Sequence, residues 1–155
     1  MPRIQHSIEI SRPPAEVFEV TNDIDNWSVL FNEYQHSEVV SREEAGRFTK
    51  LVFRLRNKDG GEWQSWRLID HQELVAIAQR ERPLYPFIYM HLTWTYTPTA
   101  EGTLMTWTQD FEIDPAFDVP EPVAVQRMDA HGRSNQQRIK RLIEAGSIAQ
   151  PTRAT

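Results

Sequence analysis

At 155 residues, with 39% hydrophobic and 25% charged side chains, the chain has the size and composition of one globular domain. It contains no cysteine, which excludes a disulfide framework, a thiolate nucleophile and cysteine-held zinc. A net charge of −5 excludes the clustered basic footprint of a nucleic-acid binder, and no run approaches the roughly 20 apolar residues of a membrane-spanning helix.

Ile4, His6, Ile8 and Ile10 alternate with polar neighbours and predict a half-buried first strand. The chain enters it from Met1 without a leader-like apolar segment, so a cytoplasmic protein is expected. Ser11-Arg12-Pro13-Pro14 predicts the start of a short helix through Phe18 and Val20. Asn22-Asp23 predicts the cap of a second short helix, on which Trp27, Phe31 and Tyr34 form one aromatic stripe. Such a stripe serves a core more often than a site. From about residue 35 to 113 the pattern has period two, broken by turn residues around Gly46, Gly60, Asp70, Pro83 and Gly102, which predicts six strands in series. A long amphipathic helix follows, over about 121–145, ended by Gly146. The domain is therefore predicted over 1–146, with a loose tail over 147–155. The fold class is α+β: a seven-stranded antiparallel sheet that curls, gripped by the long helix, with a cavity between them.

Alternation sorts side chains toward or away from that cavity. In the strand from Thr103, Met105, Trp107, Gln109, Phe111 and Ile113 share the apolar, inner face. Gln109 then needs a partner, a water or a ligand. In the strand before it, Ile88, Met90, Leu92, Trp94 and Tyr96 share a face. Around Glu62–Leu68 the faces are Trp63/Ser65/Arg67 and Gln64/Trp66/Leu68, and alternation alone does not choose between them. The long helix repeats Val125, Met128, Gly132, Asn135, Ile139 and Leu142. Gly132 is expected to preserve cavity volume, with Asn135 facing Gln109 or Arg67; a packing defect filled by water explains the pair equally well. His36, His71 and His91 fall in turns or outward, while His131 reaches the cavity mouth. No glycine-rich phosphate loop, nucleophile elbow or metal-ligand cluster is present, and no interior carboxylate is evident.

From residue 3 to 145 the chain resembles the aromatase/cyclases of bacterial type II polyketide synthases, of the START/Bet v 1-like helix-grip superfamily, and most of all the monodomain tetracenomycin-type and spore-pigment cyclases. The resemblance is carried by Val20-Thr21-Asn22-Asp23-Ile24, Trp27, Leu30-Phe31, Glu33-Tyr34, Glu62-Trp63, Ser65, Arg67, Pro86-Phe87, Tyr89-Met90, Leu92, Trp94-Thr95-Tyr96, Trp107, Gln109, Asn135 and Arg138-Ile139-Lys140. It implies regiospecific first-ring aldol cyclisation, between carbons 9 and 14, and dehydrative aromatisation of a poly-β-ketone. That substrate would be delivered by an acyl carrier protein, with other synthase subunits as transient partners and no cofactor or metal. It implies Arg67 and Tyr34 as catalytic residues. The implied lining is Trp27, Phe31, Trp63, Ser65, Phe87, Met90, Trp94, Trp107, Gln109 and Asn135, so Trp63, Ser65 and Arg67 face inward, Arg67 as a lone interior cation. A non-catalytic carrier of a lipid or quinone on the same fold is the alternative, which an apolar pocket without donors would favour.

Overall fold

The computed structural model describes residues 2–147. Strand β1 (Arg3–Ile10) leads into helix α1 (Pro14–Thr21), a 3-10 turn at Ile24–Asn26 and the single-turn helix α2 (Trp27–Leu30). Six strands follow: β2 (Tyr34–Ala45), β3 (Phe48–Asn57), β4 (Glu62–Asp70), β5 (Val75–Arg82), β6 (Phe87–Pro98) and β7 (Thr103–Ile113). Helix α3 (Glu121–Glu144) is the last element of the described residues. The strands form one antiparallel sheet in the order β1-β7-β6-β5-β4-β3-β2; the run from β2 to β7 is the meander that alternation and short turns predict, and β1 adds to it against β7. No helix of the described residues is long and apolar enough to cross a membrane.

Gly146 stops α3 as expected. Its φ of 68° admits a Schellman closure, in which Ser147 N–H donates to Leu142 C=O and Gly146 N–H to Ile143 C=O. Of the tail expected over 147–155, all but Ser147 lies outside the described residues. Helix α3 is fixed across the sheet edge by side chains that reach backbone carbonyls: Gln136 to His6, Lys140 to Glu9, and Arg138 to Val29 of α2. Its last buried contacts are Ile139 and Ile143, so the stripe predicted to end at Leu142 is displaced by one residue.

Two further expectations change. The second helix ends at Leu30, and Phe31 is already extended at φ −106° and ψ 130°, so Trp27, Phe31 and Tyr34 do not form a helical stripe. Their rings meet anyway, because the chain turns from α2 into β2 and brings them within 5.0–6.0 Å of one another. In β6 the register shifts between Phe87 and Tyr89, so Phe87 turns inward while Ile88, expected beside Met90, is 47% exposed. A bulge reverses the alternation that the period-two pattern assumes.

Candidate active site

The sheet, α2 and α3 enclose a cavity of about 800 Å3. It is lined by all twelve residues singled out from the resemblance: Arg67 and Tyr34, with Trp27, Phe31, Trp63, Ser65, Phe87, Met90, Trp94, Trp107, Gln109 and Asn135. The face of β4 carrying Trp63, Ser65 and Arg67 is the inner one, left open by alternation and given by the resemblance.

Arg67 is 1% exposed, the largest side chain so deeply buried. Its guanidinium carbon lies 4.2 Å above the Trp94 ring and 5.3 Å from that of Trp27. Nε donates to Asn22 Oδ1 at 2.8 Å, and Nη2 has no hydrogen-bond partner. Burial lowers its pKa to about 10, opposed by Tyr96 and Tyr34, so the cation persists at neutral pH. Trp94 and Trp107 stack at 4.3 Å and 10°, and neither indole Nε1 has a partner. Three buried donors around one cavity are thus unmatched. An unpaired buried donor typically costs about 1–3 kcal/mol, and these three atoms are sealed from open space as well as unpaired.

Tyr34 stacks on Trp27 and meets Phe31 and Trp63. Burial, and then the neighbouring Glu33 carboxylate, hold its pKa well above the ordinary 10.0. At neutral pH it is a proton donor. Gln109 finds only a weak contact, 4.0 Å from Met90 Sδ, and keeps its amide available.

Asn135 meets a different group from the one expected. Its Nδ2 donates to Glu33 Oε1 at 2.8 Å, and His131 Nδ1 lies 3.9 Å from Glu33 Oε2. Glu33 also lines the cavity, which overturns the reading that no carboxylate enters it. Loss of water around the carboxyl raises its pKa, partly offset by Asn135 and His131. Arg67 is also not the lone cation. Arg80 lines the same space, 4.6 Å from the Trp63 ring centre and 5.5 Å from that of Phe87, with its Nε bonded to Pro83 C=O. It shares the parity of buried Ala76 and Ala78 on β5, a signal the sequence carried.

Gly132 lines the cavity, but the space that a side chain would take there is held by His6. A Cβ there would fall 2.5 Å from Cε1 and 2.6 Å from Nδ1 of His6, whose buried imidazole fills the gap and borders the cavity. His6 was legible as a polar residue on the apolar face of β1, across from Trp107.

Comparison with known proteins agrees with this geometry. A family model described as polyketide cyclase/dehydrase and lipid transport matches residues 1–144. A Streptomyces cyaneus relative named as a polyketide cyclase is 38% identical over 122 residues, covering 76% of this chain and 77% of its own. The di-domain aromatase/cyclase BexL of the BE-7585A pathway superposes with a TM-score of 0.79 at 18% identity, over 96% of this chain and 48% of that one. The Zhui aromatase/cyclase of Streptomyces sp. R1128 gives 0.71 at 19% identity, over 94% and 93%. The two structures establish the shared fold, while the family model and the relative establish descent: the chain belongs to the polyketide cyclase/dehydrase and lipid transport family.

Proposed function

We propose that the protein is a polyketide aromatase/cyclase that closes the first ring of a poly-β-ketone by aldol addition and then dehydrates it. The observation that carries this reading is the buried arginine Arg67 in a cavity walled by aromatic rings and lined also by Tyr34, Glu33 and Gln109. A poly-β-ketone presents a carbonyl oxygen at every second carbon and flattens as it enolises, so it suits both features. A carrier of a plain lipid tail would have no use for these polar groups.

The methylenes between carbonyls are acidic, and many wrong closures compete. Holding the attacking carbon against one ketone can contribute roughly 7–11 kcal/mol. In this reading Arg67 holds the enolate and alkoxide oxygens, being permanently charged and unable to act as a base. Glu33, its pKa raised by desolvation and its position set by Asn135, takes the methylene proton. Tyr34 remains protonated and donates to the developing alkoxide. Delivery of the chain by an acyl carrier protein, closure between carbons 9 and 14, independence of cofactors and a cytoplasmic location belong to the same proposal and rest on the resemblance. Co-expression with a minimal type II polyketide synthase tests it. A new aromatic product of defined regiochemistry is expected, and a product mixture identical to that of the synthase alone would overturn it.

A further inference from the structure

His6 has no part in the chemistry assigned to Arg67, Tyr34 and Glu33, yet its imidazole is held like that of a proton acceptor. It is 5% exposed, borders the cavity, and sits on β1 with its Cα paired to that of Trp107. Nε2 lies 2.7 Å from Asp129 Oδ1 on α3, and Asp129 Oδ2 takes a second bond from Arg133 Nε at 3.1 Å. Those two bonds, from His6 first, hold the Asp129 pKa below 3.8. An ionised carboxylate only accepts, so Nε2 carries the hydrogen, and in the neutral imidazole the lone pair is then on Nδ1. Nδ1 has no protein partner among the described residues. Nor is it among the buried atoms left unmatched, so it retains contact with open space. Gly132 admits the ring, since any larger residue would occupy the place of Nδ1 and Cε1. A carboxylate that fixes the tautomer of a buried imidazole bordering a cavity is the arrangement of a general base.

We propose that the His6–Asp129 pair is a second proton acceptor of this cavity and takes the carbon proton lost when the newly closed ring dehydrates. The assignment rests on the cyclase reading above. Aldol closure and dehydration strip two protons from the same carbon. Forming the new carbon–carbon bond reorients the remaining C–H, so an acceptor elsewhere on the wall suits the second transfer. In the dehydration the C–H bond breaks and its electron pair becomes the ring double bond. The C–O bond breaks, and hydroxide leaves as water on the Tyr34 proton, which the Glu33 carboxyl restored through solvent after closure. The imidazolium then returns its proton to the Tyr34 oxygen through solvent, and both residues are reset.

The test is a reconstituted synthase assay with His6→Ala and Asp129→Asn, resolving the hydroxylated ring from the aromatic one. Ring closure is expected to continue while dehydration slows about 100-fold or more in His6→Ala. The hydroxylated ring should accumulate, and added imidazole should restore part of the rate. Asp129→Asn should slow the same step while binding of an aromatic product, followed by tryptophan fluorescence, stays at the wild-type level. Should His6→Ala fail to fold, His6→Gln keeps a donor for Asp129 but no basic nitrogen, and carries the same expectation. Full aromatisation at the wild-type rate, or equal loss of closure and dehydration, overturns the pair's role. A wild-type protein that closes no ring removes the cyclase reading itself, and the dyad's role with it.

Discussion

Asn22 Oδ1 accepts the Nε proton of Arg67 at 2.8 Å, and this one bond clamps the guanidinium edge that faces α1 while Nη2 stays unmatched. The clamp and the Trp94 face below it turn a flexible cation into a fixed donor, since only a planar group satisfies both.

Activity and stability should therefore separate at this position. Arg67→Met keeps much of the volume and removes a buried charge, so its melting temperature is expected to equal or exceed that of the wild type. Its cyclisation rate should fall by about 10²–10³, the usual cost of one oxyanion donor. Arg67→Lys should recover little, having neither the Nε for Asn22 nor the flat face for Trp94. Calorimetry together with product formation checks both halves, and a Met variant with wild-type products would exclude Arg67 from the chemistry.

Gly132 and His6 should be coupled. Gly132→Ala places a methyl group where the imidazole stands, so the ring must tilt away and weaken its bond to Asp129. Overpacking of this kind costs about 1–3 kcal/mol. In the background of His6→Ala the same change should cost far less, because the obstructing ring is gone. A double-mutant cycle from urea melts measures the difference, and strict additivity would show that the two residues do not touch.

Glu33 sets a pH signature. A carboxyl whose pKa is raised by folding binds more protons in the native than in the unfolded state, so stability falls as pH rises above the ordinary 4.5. Glu33→Gln removes that loss and keeps an acceptor for Asn135. The variant and the wild type should melt alike near pH 4, and the advantage of the variant should grow above that pH and then level off. The same change should slow ring closure by about 10²–10⁴. Melting curves across pH, with initial rates at neutral pH, test the two together.

The depth of the cavity should choose the ring. Trp94, Trp107 and Phe87 line it, the two indoles as a rigid stacked pair. Shortening one wall changes which carbons of a chain held at its tethered end meet Arg67. Trp107→Phe and Phe87→Leu are expected to redistribute products among ring patterns more than they lower total yield. Chromatography of products from a panel of such variants decides between that outcome and loss of yield at constant regiochemistry.

The serial order of β2 to β7, the long C-terminal helix, its glycine stop and the inward face of β7 were all legible before the structure. They depend on local causes: alternation of period two, the 3.6-residue stripe, and a left-handed residue at Gly146. The inward face of β4 came from the resemblance, because alternation left it open. The residues of the cavity wall were also legible, through alternation and through the resemblance together. What the chain alone did not disclose were pairings between elements distant in sequence. Asn135 meets Glu33 across 102 positions and His6 meets Asp129 across 123, so neither partner is implied by spacing within a strand or helix. The bulge that exposes Ile88 and the early end of α2 at Leu30 likewise break a local rule for a tertiary reason, the closing of the sheet around its contents. Local periodicity sorted the side chains of each strand into two faces. Only the curvature of the sheet and the seating of α3 decided which of those side chains meet.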